Sequence, residues 1–276
     1  MNILVCVKRV PETGGRVSLS ADGREIDTRY LGFTVSPHEE CATEEAVRLI
    51  EANGGSSTVL TLGPEAAADQ LRAALAIGID RAILLETDGQ DWDPVSTAGA
   101  IVAAVRAEAA AGVTYDLLLM GNEAADSGDF QVGIRVALAL GLPSINGVKS
   151  LEVRDGVATA RREAGGGWEV FEVPLPAVVA VREGINLPRY PSVPGRLRAK
   201  KKEIERFVPE RAGAGGAGVG GGVAAGPAGP AGVAGPDKIR LRLPAETEGR
   251  VEILGSGADA APAVVDLLER IGVLSA

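Results

Sequence analysis

Histidine, cysteine, aromatic residues and positive charge are all scarce in this chain of 276 residues. One histidine and two cysteines argue against a zinc site, a disulfide scaffold or a Ser-His-Asp hydrolase. Aromatics make up 3% although 46% of residues are apolar, so Ala, Val, Leu and Ile must fill the core. That composition suits helices packed on a buried sheet better than an aromatic-rich β-sandwich. Lys plus Arg (28) against Asp plus Glu (37) leaves a charge of −9, a field that opposes general nucleic-acid or anionic-membrane binding. No apolar run approaches the roughly 20 residues that span a bilayer, and the first strand-like run begins at Ile3, leaving no room for a signal peptide. The expectation is a soluble protein of the reducing cytoplasm.

What is present is an alternation. Asn2–Val7 is a short continuous apolar run, the habit of a parallel strand buried on both faces. After a polar excursion with turn signals at Gly14-Gly15 and Asp22-Gly23, Ser36-Pro37 opens a helix, with Ser36 as its expected cap and Glu39 and Glu40 at its positive end. Strand-like 58–62, 82–85 and 117–120 then trade places with helical 65–77, 95–111 and 131–140. This order predicts an α/β fold: an open, mostly parallel sheet with helices on both faces. Segments 148–153, 157–162 and 168–173 alternate apolar and polar residues between Gly-rich turns, which predicts an antiparallel hairpin extension. The apolar run 177–181 rejoins the sheet interior.

One α/β domain is expected over 1–206, followed by a Gly/Ala/Pro-rich linker over 207–237 and a C-terminal arm over 238–276. Residues 212–236 are only Gly, Ala, Val and Pro, a composition that cannot offset its ordering entropy and reads as flexible. Two GxGxxG matches there, Gly213 to Gly218 and Gly216 to Gly221, follow no buried strand and open no helix, so they carry no dinucleotide site. The arm reads as a short strand, Ile239–Leu243, and a helix over 258–271. Ala263, Val264, Leu267, Leu268 and Ile271 give that helix an apolar face for docking on its own domain or on a partner subunit.

The chemistry-bearing loops follow the first, second and fourth strands, where helix N-termini offer free amides. In Gly121–Gly133, the glycines Gly121, Gly128 and Gly133 allow close backbone approach, and Asp126, Asp129 and Gln131 offer polar atoms to a ribose or base. Cys6 and Cys41 read as buried small hydrophobes rather than nucleophiles. Finally, Pro188, Pro191 and Pro194 stiffen a loop that presents Val193, with five cations from Arg196 to Lys202 beside it. The combination reads as a docking device steered toward an acidic partner.

At these residues the chain resembles the β subunit of electron transfer flavoproteins. The likeness runs through Val7–Pro11, Ser36–Arg48, Leu71–Ala82, Gly121–Gly133 and, most specifically, Asn186–Lys202. It implies an electron carrier, not itself an enzyme, that pairs with an α subunit. Electrons would come from flavin dehydrogenases of the acyl-CoA type, as in fatty acid oxidation, and pass to a membrane-bound quinone oxidoreductase. FAD would be held mainly by the α subunit and AMP by this chain; in electron-bifurcating relatives a second FAD takes the AMP place.

Carried over by position, the nucleotide site comprises Cys6, Ser36, Pro37, His38, Glu39, Leu62, Gly63, Gly121, Asn122, Asp126, Gly128, Asp129, Phe130, Gln131, Val132 and Gly133. Partner recognition falls on Ile185, Asn186, Leu187, Pro188, Arg189, Tyr190, Pro191, Ser192, Val193 and Pro194. Ser36 and His38 stand where the mitochondrial pattern has Asn and Phe, and Gln131-Val132-Gly133 leans toward bacterial and bifurcating branches. Neither metal nor nucleic acid is implied. A stand-alone nucleotide-binding stress protein of similar fold would not explain the stiff loop and its lysines. An adenylating enzyme would want a Ser-Gly-Gly-type phosphate loop where Lys8–Glu12 stands.

Overall fold

The computed structural model describes residues 1–12, 14, 17–210, 238–244 and 251–274. Nine strands form one sheet: β1 (Asn2–Val7), β4 (Ser56–Gly63), β5 (Arg81–Glu86), β6 (Leu117–Gly121), β7 (Ser144–Arg154), β8 (Val157–Ala164), β9 (Gly167–Pro174), β10 (Ala177–Val181) and β11 (Glu205–Phe207). Their spatial order is β11-β5-β4-β1-β6-β10-β7-β8-β9. The run from β11 to β7 is parallel, and β8 and β9 extend it as an antiparallel meander. The turns of that meander fall at Asp155-Gly156 and Gly165-Gly166, between runs of alternating residues.

The continuous apolar runs are explained by two-sided burial. Ile3, Val5 and Val7 face one layer with α1 (Pro37–Asn53), α2 (Ala68–Ile77) and α5 (Val193–Lys201). Leu4 and Cys6 face the other, with α3 (Pro94–Ala110) and α4 (Val132–Leu140). Successive side chains of a strand point to opposite faces, so a strand covered on both sides loses its polar positions. The polar excursion after β1 is bounded by strand pairing that its composition did not signal. A small ladder of β2 (Arg9–Pro11) and β3 (Phe33–Val35) closes it, with the Arg9 guanidinium 3.2 Å from the centre of the Phe33 ring.

The segment after β10 is strapped to the sheet edge. Lys202 Nζ donates to Ile79 and Asp80 carbonyls at 2.8 and 2.9 Å, and Arg72 donates to the carbonyls of Ala199 and Lys202. Lys202 therefore closes α5 onto β5 instead of joining a free cationic patch; Arg196, Arg198, Lys200 and Lys201 stay exposed. Arg81 ties β11 to α3 through Glu205 and the buried Glu108, each at 2.8 Å.

The expected linker and both GxGxxG matches lie mostly or wholly outside the described residues. Contacts divide the chain into Met1–Ile239 and Arg240–Ala276. In the second unit a helix, α6 (Ala261–Arg270), follows a 3-10 turn, and none of its described residues is buried. The short strand expected over Ile239–Leu243 does not form: no strand of the sheet pairs with it, and an extended segment without a ladder is not a strand. Among the described residues no helix is long and apolar enough to cross a membrane.

Candidate functional site

Strand order creates the crevice. From β1 the chain crosses to α1 on one face, whereas from the adjacent β6 it crosses to α4 on the other. Where neighbouring parallel strands send their connections to opposite faces, a gap opens beyond their carboxyl ends. Lys8, the Ser36–Glu39 helix start and the Gly121–Gly133 loop all meet there. Leu62 and Gly63 end β4, the strand on the other side of β1.

Ser36 occupies the N-cap position of α1, but its side chain does not cap as expected. Its carbonyl accepts the amides of Glu39 and Glu40 at 3.0 and 2.9 Å, while Oγ, buried with the residue 1% exposed, has no partner. His38 Nδ1 is likewise buried and unpartnered, and Nε2 lies 3.7 Å from Glu123 Oε1. Two orphaned polar atoms at the positive end of a 17-residue helix are a costly arrangement for a protein to keep without a ligand.

The loop glycines divide by role. Gly121 serves the close approach of β6 to α1, because a Cβ there would stand 2.6 Å from Glu39 Cγ and 3.2 Å from His38 Cβ. Gly133 sits against Met120 Sδ. Gly128 has open space around it and φ +62, so it is required by backbone conformation and not by crowding. The polar side chains are largely engaged within the protein. Asp126 pairs with Lys8 Nζ at 2.8 Å, Asp129 accepts the Gln131 amide at 2.9 Å, and Gln131 Oε1 takes Arg135 at 2.8 Å. Asn122 and Val132 are half-buried beside them, and Phe130 is exposed.

Lys8 was not among the expected site residues, and it bonds to one that was. Glu39, buried beneath Gly121, accepts the Lys8 amide at 2.7 Å. Burial pushes its carboxyl up to about 8 against the pull of Lys8. Burial also pushes the Cys6 thiol up to about 12, with Glu39 adding to it, so Cys6 is no nucleophile near neutral pH.

The second candidate region, Ile185–Pro194, is held by α1. Asn186 Nδ2 donates to the Cys41 carbonyl at 3.0 Å and to Glu45 at 2.8 Å. The Arg189 guanidinium meets buried Glu44 at 2.9 Å and Glu51 at 2.6 Å, and hydrogen bonds from it to Glu51 and Glu44 raise its pKa. These residues are thus anchors, with Ile185 packed on the core. Leu187, Tyr190 and Val193 face outward, with 91%, 95% and 71% of their surface exposed. Val193 is not in the loop but is the first residue of α5: Ser192 Oγ accepts the Gly195 amide at 3.1 Å and Pro194 suits the first turn, so the helix starts earlier than expected. Pro188 and Pro191 flank the exposed Tyr190.

Comparison with known proteins points the same way. The model of the electron transfer flavoprotein domain matches residues 25–212. The chain is 40% identical over 205 residues to the electron transfer flavoprotein subunit beta of Syntrophomonas wolfei, covering 74% of this chain and 78% of that one. It is 36% identical over 209 residues to the subunit beta of Bacillus subtilis, covering 75% and 79%. To the mitochondrial subunit beta of Oryza sativa it is 34% identical over 211 residues, covering 76% and 83%. With its matched region taking in the start of α1, the Gly121–Gly133 loop and the α1-anchored loop, the chain belongs to the β-subunit branch of the electron transfer flavoprotein family.

Proposed function

We propose that this chain is the nucleotide-holding half of an αβ electron carrier. The observation that carries the nucleotide is the pair of orphaned atoms, Ser36 Oγ and His38 Nδ1, at the N-terminus of α1 in the crevice between β1 and β6. They suit a ligand that brings hydroxyls or ring nitrogens, and AMP fits that description. The amide of His38 and free amides of the Gly121–Gly133 loop would face its phosphate. FAD, held mainly by the α subunit, supplies the redox chemistry when bound. This chain's residues shape the surroundings and hold the nucleotide. The exposed apolar residues of α6 would dock on the α subunit, and two free buried cysteines suit a cytoplasmic setting.

Extracting the nucleotides from a co-purified αβ complex tests this. One FAD and one AMP per heterodimer supports a simple carrier toward a quinone oxidoreductase. Two FAD would place the chain with the electron-bifurcating branch, and FAD without a second nucleotide would overturn the crevice as a site.

The loop has its own test. At Gly128 any side chain meets a left-handed backbone, which costs about 1–2 kcal/mol for most residues and less for Asn. Gly128→Val should therefore lower nucleotide content, with Gly128→Asn close to wild type. Unchanged content in the valine variant would remove this loop from the site.

Val193 is proposed as the anchor for an acyl-CoA-type dehydrogenase. Burying one such side chain in a partner contributes on the order of 1–3 kcal/mol. Val193→Ala should raise the apparent KM for the cognate dehydrogenase severalfold and leave flavin content unchanged. Added salt should slow association separately, because Arg196, Arg198, Lys200 and Lys201 remain exposed to steer an acidic surface. A wild-type KM would show that Val193 is merely exposed.

A further inference from the structure

We propose that Glu39 is a positioning residue for the 121–133 loop, acting through Lys8, and that ionising its buried carboxyl weakens the hold on an anionic nucleotide. The inference rests on the nucleotide reading above and adds a device to it. Glu39 reaches back from the first turn of α1, beneath Gly121, to the amide of Lys8 at 2.7 Å, with the Ser36 amide of its own helix start as a second backbone donor. The bond to Lys8 fixes the direction in which the chain leaves β1. Lys8 Nζ then reaches Asp126, 118 positions further along, at 2.9 Å. Helix start, strand end and nucleotide loop are thereby joined in one chain of contacts. The loop itself has little else of this kind: Asp129 and Gln131 bond only within it or to α4.

The groups acting on Glu39 are Lys8 and Cys6 from the end of β1 and Asp126 from the loop, with His38 next to it in α1 and facing Glu123 of the loop. Cys6 stays a neutral thiol through the range that matters. Glu39, raised to about 8 by burial, changes charge within it. A proton lost there places a negative charge beside Asp126 and beside any phosphate in the crevice, so binding weakens as pH rises. The stability sign agrees. The folded carboxyl holds its proton to higher pH than the unfolded one does, so stability falls from the ordinary carboxylate range up to about 8 and levels off above it. Glu39→Gln keeps an acceptor for the Lys8 amide without that titration.

The test uses the full chain, with AMP as the probe, at pH 6.5 and pH 9. Calorimetry gives the Kd, and hydrogen-exchange protection of amides 121–133 is measured without AMP. Wild type should lose about tenfold in affinity between the two pH values, the scale of one added charge in a partly screened site. Glu39→Gln should lose much less. Measured at the same pH values, it also subtracts the titration of the phosphate itself. Lys8→Met keeps the backbone donor but removes the ion pair to Asp126, and should lower loop protection at least fivefold at both pH values. Equal pH dependence in wild type and Glu39→Gln, or full loop protection in Lys8→Met, would overturn the proposal. If wild type binds no AMP at either pH while Lys8→Met still loosens the loop, the nucleotide reading fails and the positioning role stands.

Discussion

Arg189→Met is expected to lower the melting temperature by about 4–8 °C, the equivalent of about 2 kcal/mol in a domain of this size. Glu44 is 4% exposed and receives both the Nε and an Nη of Arg189. Removing the cation leaves that carboxylate buried without its partner, the costly way to break an ion pair. The guanidinium is 36% exposed and its other partner, Glu51, is more open still, so the full cost of a buried pair is discounted for solvent screening. Glu51→Gln should therefore cost far less than Arg189→Met. Arg189→Lys should rescue only in part, since an ammonium cannot bridge two carboxylates in the fork geometry of a guanidinium. The same change should loosen residues 187–192 and, on the docking role proposed for that loop, slow electron transfer from a dehydrogenase, although Arg189 itself faces α1. A wild-type melting curve would mean that the loop is held without this clamp.

Gly195→Ala should destabilise the chain by about 1–3 kcal/mol, the usual cost of overpacking. The sign is diagnostic, because in a helix interior alanine is ordinarily favoured over glycine by about 1 kcal/mol. Here the added Cβ would stand 2.3 Å from the Ala76 carbonyl oxygen, a backbone atom at the end of α2 that no rotamer change can move. The helix α5 must shift as a body, carrying Val193 and the exposed cations with it. The variant alters none of the outward-facing side chains, so a loss of dehydrogenase transfer would report their placement alone. Thermal unfolding and transfer kinetics on the same preparation check both effects. A variant as stable as wild type or more so would show that α5 is free to ride away from α2.

Much of the fold was legible along the chain. The runs 3–7, 82–85, 117–120 and 177–181, in β1, β5, β6 and β10, are apolar at every other position and the one between, which only strands covered on both faces require. The turn chemistry at Asp155-Gly156 and the proline placement at α1 are equally local. Locality also explains the errors. Ser36 has the right chemistry to cap α1, yet capping depends on where the Oγ is turned, and burial in the crevice leaves it without a partner. Ile239–Leu243 has a strand's composition but no pairing strand among the described residues.

Composition, periodicity and turn residues determined the kind of elements, their order and the α/β class, because each is a preference of a few adjacent residues. Strand order was decided only by tertiary structure: β10 enters between β6 and β7 after the chain has already run through β8 and β9. The partnerships that build the site are of the same kind. Lys8 finds Asp126 at a separation of 118 residues, and Arg189 finds Glu44 at a separation of 145. Nothing in a single carboxylate or cation specifies such a partner. It is selected when packing excludes water from one of them and leaves the other within reach.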